Sequence, residues 1–225
     1  MAVVIDMHVH TVKGGSDSNL DPFDLVKEAK RVGLSGVCLT EHNNVWNRHE
    51  FERFAREQDI LLFRGMEVST ELGHIIVFGL ESYVSGIHKV DLLRKVVDGE
   101  GGFAIAVHPF RKKFEPKYYL KTGPKSEDLT VEESARLPIF SHVHSLEVVN
   151  GACSFRENLF ALQVAEVLGW SGTAGSDAHS THGLGSGATV FEADIRSEED
   201  LLRELRAGRF YPGHGLPKGL LQRFP

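Results

Sequence analysis

Short apolar runs alternate with segments of helical periodicity along most of the chain, and this rhythm repeats about seven times. Buried strands of a parallel sheet have this apolar character, and parallel neighbours need a long crossover that is usually helical. The alternation therefore predicts an α/β fold with parallel strands joined by helices. One irregular stretch, from about residue 111 to 140, departs from the pattern and is expected to be an insertion.

Acidic and histidine residues follow these runs at their C-terminal ends. Glu41 and His42 come after residues 36–40, and His108 comes after residues 103–107. An open sheet gathers its ligands at one switch point, whereas the strand ends of a closed barrel surround a single site. Because such residues follow nearly every strand, the sequence favours a closed barrel.

The first strand carries a concentrated group of these residues. Asp6, His8 and His10 alternate with apolar residues, and alternate residues of a strand share a face. Two imidazoles on one face can bind a metal ion, although a solvated strand end explains the same pair equally well when it is taken alone. We expect Asp6 to orient a ligand histidine rather than to bind metal itself.

Length and composition narrow the class of protein. The chain has 225 residues, and we expect a single barrel domain that spans all of it. It has no apolar run of ~20 residues that would cross a membrane, and Asp6 and His8 interrupt the N-terminal run that a signal peptide would need. Two cysteines, Cys38 and Cys153, provide neither a disulfide framework nor a thiolate metal site. These features predict a cytoplasmic location.

Six motifs in chain order resemble the polymerase and histidinol phosphatase (PHP) family of metal-dependent phosphoesterases, and the resemblance covers the chain from residue 4 to about 212. Each motif is unspecific alone, but the ordered set is specific. The motifs are Asp6-x-His8-x-His10, Thr40-Glu41-His42-Asn43, Gly65-x-Glu67, His74, His108-Pro109 and Gly175-Ser176-Asp177-Ala178-His179. The resemblance implies a distorted (β/α)7 TIM-like barrel with a metal centre on one face.

The same resemblance implies nine metal ligands in three groups. His8, His10, Glu67 and Asp177 would bind one ion, while Glu67, His74 and His108 would bind a second ion, with Glu67 bridging the two. Asp17, His42 and His179 would bind a third ion. We therefore expect two or three divalent ions, and imidazole with carboxylate ligands suits zinc, manganese or iron.

The predicted activity is metal-dependent hydrolysis of a phosphoric ester. A metal-activated water would attack phosphorus, with Glu67, Asp177 and His179 as catalytic residues. The expected substrate is a small phosphorylated metabolite, a nucleotide or a short oligonucleotide. Two alternatives stay open, an amidohydrolase-type enzyme that cleaves a C–N bond and a non-catalytic metal-binding module. The sequence implies no membrane and no protein partner.

Three residues are candidates for binding the substrate. Guanidinium groups suit phosphate oxygens, which favours Arg111 and Arg156, and His182 follows the Asp177 motif closely enough to contact substrate. The net charge of −6 argues against a general polynucleotide-binding surface. Six basic residues interleaved with aromatics could still guide an anion, or form a solvated flap: Arg111, Lys112, Lys113, Lys117, Lys121 and Lys125.

Overall fold

The structure, a computed structural model, describes residues 2–114 and 129–225. Ten strands in these ranges form one sheet: β1 (Val3–Val9), β2 (Gly36–His42), β3 (Leu61–Thr70), β4 (Gly73–Phe78), β5 (Phe103–Ala106), β6 (Ser145–Asn150), β7 (Thr173–Gly175), β8 (Gly187–Phe191), β9 (Phe210–His214) and β10 (Gln222–Arg223). The α-helices described are α1 (Pro22–Val32), α2 (Arg48–Arg56), α3 (Val90–Gly99), α4 (Val131–Ser134), α5 (Phe155–Leu168) and α6 (Glu198–Ala207).

The sheet mixes parallel and antiparallel strands in the order β10-β9-β8-β1-β2-β3-β4-β5-β6-β7. Parallel pairing joins β1 to β2, β2 to β3, β5 to β6 and β6 to β7, and the remaining neighbours are antiparallel. A parallel bridge between Val9 and Ala178 brings the residues after β7 back to the end of β1. The α/β class and a curled sheet are therefore shown, whereas the (β/α)7 count is not confirmed.

Two features explain the departure from a regular strand-helix repeat. Only Glu71 and Leu72 separate β3 from β4, and two residues can make a hairpin but not a crossover, so these strands pair in antiparallel. In addition, β9 and β10 extend the sheet beyond β8 by antiparallel pairing, without helical crossovers between parallel strands. Pro212 and Gly213 obscure β9 because both residues are typical of turns, yet a strand near the sheet edge tolerates them.

Helix α1 shows how local sequence signals place the strand ends. The side chain of Asp21 accepts a hydrogen bond from the backbone N–H of Phe23, Pro22 occupies the first turn, and Gly33 ends the helix with a φ of 87°. Its buried stripe packs on the sheet through Leu25, Val26, Ala29 and Val32. This crossover holds β1 and β2 parallel, so their C-terminal ends, with His10 and His42, lie at the same edge.

Three buried apolar clusters hold the sheet and helices together. One joins strands β1, β3, β4 and β5 to helix α6, a second packs α1 and α2 against β1 and β2, and a third packs α3 and α5 against the strands from β3 to β7. Tightly packed strands are rigid supports for a site. No helix within the described ranges has both the length and the apolar character that a membrane span requires.

The irregular stretch from residue 111 to 140 is described only in part. Its C-terminal portion contains α4, where Thr130 and Glu133 form a reciprocal cap of the helix start. Lys117, Lys121 and Lys125 lie outside the described residues, so the proposed basic surface is not tested there. The single-domain organisation stays a prediction.

Candidate metal centre

The ends of the strands bring all nine predicted ligands into one cluster. They come from six strands or the segments that follow them: His8 (β1), His10 and Asp17 (after β1), His42 (β2), Glu67 (β3), His74 (β4), His108 (after β5), and Asp177 and His179 (after β7). His8 and Asp177, which are 169 positions apart in the chain, thus contact each other. The fold thus brings together short motifs that lie far apart in the sequence.

Glu67 occupies the middle of this cluster and is fully buried. Its Oε1 lies 2.7 Å from Nδ1 of His74 and 3.0 Å from Nε2 of His108. Its Oε2 lies 3.2 Å from Nε2 of His10, 3.3 Å from Nε2 of His8 and 3.1 Å from Nδ1 of His42. The two oxygens therefore face two separate sets of imidazoles, as a carboxylate that bridges two cations would do.

Four groups of three residues have ligand atoms that lie within 4.8 Å of one another: His8, His10 and Asp177; His8, Glu67 and His108; His42, Glu67 and His74; and His10, His42 and His179. His42 differs from the expected grouping, because it faces Glu67 as well as Asp17, whose Oδ2 is 3.1 Å from Nε2 of His42. The buried Nδ1 of His10 has no hydrogen-bond partner among the described residues. Imidazole and carboxylate donors at these distances fit divalent ions.

The electrostatics of the pocket favour a cation. Burial lowers the pKa of His8, but Glu147, Asp177 and Glu67 outweigh burial and raise that pKa well above its ordinary value. Burial raises the pKa of Asp177, yet the charge of His8, with His10 and Arg111, holds it below its usual range. Carboxylates that stay ionised in a buried pocket need compensating positive charge, which bound divalent ions would supply.

The backbone is strained at two of the candidate ligands. His108 has a φ of 35° and Asp177 a φ of 56°, in the left-handed region that non-glycine residues rarely adopt. Hydrogen bonds hold both: the N–H of Asp177 donates to the carbonyl of His8 at 2.8 Å, and that of His108 donates to Glu147 at 2.9 Å. Strain of about 1 kcal/mol or more per residue is commonly concentrated at functional sites.

Glu147 on β6 is a site residue that the sequence analysis missed. Its carboxylate is buried and accepts hydrogen bonds from the ring of His8, the backbone of His108 and the side chain of Asn150. A signal for it was present, because a lone acid inside the apolar run from Leu146 to Val149 needs a buried partner. The run alone did not show which residue that partner is.

Asp6 serves a different purpose from the one expected. The register of β1 on β2 shifts between Asp6 and Val9, and such an irregularity re-aims the side chains beyond it. The Asp6 carboxylate accepts hydrogen bonds from the backbone N–H groups of Ser176, Gly185 and His8, and none of its described hydrogen bonds reaches an imidazole ring. Burial raises the pKa of Asp6 to about 6. It therefore anchors the segment that carries Asp177.

Glu41, the acid next to His42, also belongs to the supporting structure. Its carboxylate accepts hydrogen bonds from the backbone and hydroxyl of Thr11 and from the indole N–H of Trp46. These contacts fix the segment after β1 against the end of β2. The side chain is fully buried and occupied by three donors, so it is not among the residues grouped around the candidate ions.

Comparison with known protein families shows the family to which this chain belongs. The family profile described as the PHP domain matches residues 6–132, more than half of the chain, and a profile described as PHP-associated matches residues 155–210. The chain belongs to the PHP family. Family membership and the ligand cluster together support a metal-dependent hydrolase.

Individual relatives match shorter parts of this PHP chain. An uncharacterised protein of Methanocaldococcus jannaschii is 30% identical over 115 residues, which are 47% of the chain and 67% of that relative. The error-prone DNA polymerase of Mycobacterium tuberculosis is 33% identical over 64 residues, which are 28% of the chain and 6% of the polymerase. The likeness to the polymerase is thus confined to a small part of that enzyme.

Solved structures with related folds cover nearly all of the PHP chain. A candidate metal-dependent phosphoesterase from Bifidobacterium adolescentis has a TM-score of 0.57 at 17% identity, covering 90% of the chain and 95% of its own. A sulfate-bound, metal-free amidohydrolase from Chromobacterium violaceum has a TM-score of 0.60 at 18% identity and 98% coverage of both chains. The lesion-specific endonuclease EndoQ from Pyrococcus furiosus has a TM-score of 0.59 at 17% identity, covering 94% of the chain and 58% of its own. At these identities the likeness concerns the fold.

Only one of the two arginines predicted to bind substrate contacts the ligand cluster among the described residues. Arg111 reaches the cluster, where its guanidinium contacts Asp177 and donates to Oδ1 of Asn150 at 2.9 Å. Arg156 is exposed and lies over the ring of Phe114, 3.9 Å from the ring centroid. No described contact joins Arg156 to the ligand cluster.

His182 and Lys113 also lie elsewhere than expected. His182 is exposed and lines a cavity of about 410 Å³ with Arg31 and His214, and that cavity contains none of the nine candidate ligands. Lys113 is buried, its ammonium donates to the carbonyl of Leu129 at 3.2 Å, and it lies over a phenylalanine ring. Lys113 is thus part of the packing of this segment, which differs from both alternatives left open for it, an anion-guiding residue and a residue of a solvated flap.

Gly175 offers a test of how tightly the PHP site is packed. A Cβ added there would lie 2.4 Å from Cβ of His8 and 2.8 Å from its backbone nitrogen. We expect Gly175→Ala to lower the free energy of unfolding by about 2–3 kcal/mol, because backbone cannot move aside cheaply. Denaturant unfolding measures this change. Gly99→Ala, where the added Cβ meets no atom within 4 Å, should have little effect, and equal stability of both variants would contradict the packing.

Proposed function

We propose that this PHP protein hydrolyses phosphoric esters, acting on a small phosphorylated metabolite, a nucleotide or a short oligonucleotide. The observation that carries the proposal is Glu67, whose two carboxylate oxygens each face a different set of imidazoles at 2.7–3.3 Å. Phosphoesterase and endonuclease appear among the names of proteins with related folds, and both classes cleave phosphate esters. These names support a phosphate ester as the substrate class.

We assign nine residues as ligands of two or three divalent ions, with zinc, manganese and iron as the candidate metals. His8, His10, Glu67 and Asp177 would hold one ion, and Glu67 would share a second ion with His74 and His108. Asp17, His42 and His179 would hold a third, in the more exposed part of the cluster. When bound, such ions lower the pKa of a coordinated water and neutralise phosphate charge.

The described contacts limit the roles that His179 can take. Its Nδ1 lies 3.0 Å from the carbonyl oxygen of Asp177, which can only accept a hydrogen bond, so Nδ1 carries the proton in the neutral ring. Its Nε2 then has a free lone pair, 3.5 Å from Asp17. The neutral ring therefore suits a ligand, and only the doubly protonated ring can also donate a proton from Nε2 to a leaving oxygen.

Arg111 is the residue that we assign to phosphate. Its Nη2 is held by Asp177 and Asn150, and its buried Nε has no hydrogen-bond partner among the described residues. A guanidinium beside the ligand cluster suits a phosphate oxygen.

Removing the Arg111 guanidinium tests that assignment. We expect Arg111→Ala to raise KM for a phosphate ester by about 10–100-fold, because a charge-assisted hydrogen bond of about 1.5–3 kcal/mol is lost. Steady-state kinetics at fixed metal content measure the change. Arg203→Ala, on an exposed face of α6, is the control. The same measurement on Arg156→Ala tests the other predicted phosphate ligand, and an unchanged KM for Arg111→Ala would rule out the assignment.

A substrate panel tests the proposed reaction. Metal analysis of the purified protein comes first, followed by phosphomonoesters, phosphodiesters and short oligonucleotides, each with and without a chelator. We expect phosphate ester cleavage that depends on the metal. Failure of the metal-loaded protein to cleave any phosphate ester in the panel would reject the proposal and leave an amidohydrolase-type enzyme or a non-catalytic metal-binding module.

Cleavage of a C–N bond is the second candidate, since one protein with a related fold is an amidohydrolase. Amidohydrolase sites usually use a lysine at a strand end to bridge two ions. In this chain Glu67 belongs to two of the ligand groups and takes the place of such a bridging lysine. Amide substrates in the same panel separate the two activities.

A further inference from the structure

The carboxylate of Glu147 makes three contacts without belonging to any of the ligand groups. Its Oε1 lies 3.0 Å from Nδ1 of His8. Because an ionised carboxylate only accepts hydrogen bonds, Nδ1 must carry the ring proton there. The lone pair of the neutral ring is then on Nε2, which lies 3.3 Å from Oε2 of Glu67 and faces the proposed ion. Glu147 thus selects the tautomer of His8 that can bind metal.

The second oxygen of Glu147 holds a different strand end. Its Oε2 accepts the backbone N–H of His108 and the side-chain amide of Asn150, both at 2.9 Å. The His108 backbone has a φ of 35°, so this hydrogen bond supports a strained residue. Space for the carboxylate depends on Gly175, because a Cβ there would come within 2.9 Å of Oε1.

We infer that Glu147 is a positioning residue. It holds both His8 and His108 in place and thereby sets the affinity with which these two side chains bind metal. These two histidines and Glu67 form one of the groups whose ligand atoms lie within 4.8 Å of one another. One carboxylate therefore stands behind a ligand of each of the two ions that Glu67 is assigned to bridge, His8 for the first ion and His108 for the second. The inference rests on the proposed metal centre, and it assigns to Glu147 a role distinct from ligation.

Glutamine at this position cannot satisfy the same three donors. If its carbonyl oxygen accepts from His8, its amide N–H groups face the donors of His108 and Asn150. If the carbonyl instead accepts from those two donors, the amide N–H faces Nδ1 of His8. The His8 proton then moves to Nε2, which removes the lone pair that would bind metal. Either orientation weakens the site.

Metal binding by the Glu147→Gln variant provides the first test. The wild-type protein, Glu147→Gln and Glu157→Gln are stripped with a chelator and titrated with zinc against a chromophoric competitor. Glu157 is a buried glutamate that caps α5 through Ser154, so it controls for the loss of a buried carboxylate. We expect the Kd of the tightest ion to rise about 10–100-fold in Glu147→Gln and to stay unchanged in Glu157→Gln.

The outcomes separate this inference from the proposed function. Equal zinc affinity in the wild type and Glu147→Gln would overturn the role of Glu147 and leave the metal centre intact. A wild-type protein that binds no zinc would overturn the metal centre itself.

A measurement on the wild-type protein tests the inference even if Glu147→Gln fails to fold. Long-range ¹H–¹⁵N spectra of the zinc-loaded protein distinguish imidazole tautomers, and the His8 signals are assigned by their loss in His8→Gln. We expect His8 to be protonated at Nδ1 and to bind zinc through Nε2. Protonation at Nε2, or zinc bound through Nδ1, would overturn the inference whatever the variant does.

Discussion

Glu67→Gln will reduce kcat by a factor on the order of 10³ or more and will remove at least one bound ion per chain. The carboxylate faces five imidazole nitrogens at 2.7–3.3 Å, with two on one oxygen and three on the other. An amide offers one acceptor oxygen and places N–H groups against nitrogens whose lone pairs would bind metal. Charge that balances two cations is lost at the same time. Single-turnover kinetics and metal analysis of the same sample measure both effects.

The matched control for this substitution is Glu204→Gln. Glu204 is buried to a similar extent, but it pairs with Arg203 and Arg209, and no described contact joins it to the ligand cluster. We expect Glu204→Gln to change the free energy of unfolding and to leave the metal content unchanged. Full activity and full metal content in Glu67→Gln would refute the bridging role of Glu67.

Divalent metal will raise the melting temperature of the chelator-treated protein by roughly 8–16 °C at saturation. An ion at about 1,000 times its Kd stabilises the folded state by about 4 kcal/mol, and each kcal/mol shifts the melting temperature of a protein of this size by about 2–4 °C. Here the ion also relieves the repulsion among buried Glu67, Asp177 and Glu147. Scanning calorimetry of metal-free and metal-loaded samples measures the shift.

Two comparisons sharpen this prediction. The shift should shrink in Glu67→Gln, and it should decline toward about pH 5, because protons compete with metal for the imidazole nitrogens. A shift of the same size in Glu67→Gln would place the stabilising ion outside this cluster.

Local signals in the sequence predicted several elements well. The cap at Asp21 and the stop at Gly33 bound α1, and Gly169 ends α5, because capping involves groups within a few residues of each other. The sequence also indicates the nine candidate ligands, since the resemblance rests on short motifs in a fixed order. Their roles as ligands stay a proposal.

Other features depended on contacts that no local pattern contains. The antiparallel pairing of β4 with β5 and the late strands β9 and β10 depart from the strand-helix repeat. Arg111 and Arg156 looked equivalent in sequence, yet only Arg111 contacts the cluster among the described residues. Asp6 was expected to support an imidazole, but its carboxylate accepts hydrogen bonds from the backbone amides of Ser176 and Gly185.

The sequence by itself determined which residues cap the helices, which runs form strands and which side chains stand at the strand ends. These properties follow from interactions between near neighbours in the chain. Only the tertiary structure decided which carboxylate faces which imidazole, because His8 and Glu147 are 139 residues apart and meet only when β1 and β6 curl into one sheet. Tautomer, charge and ligand grouping at the site all depend on such distant contacts.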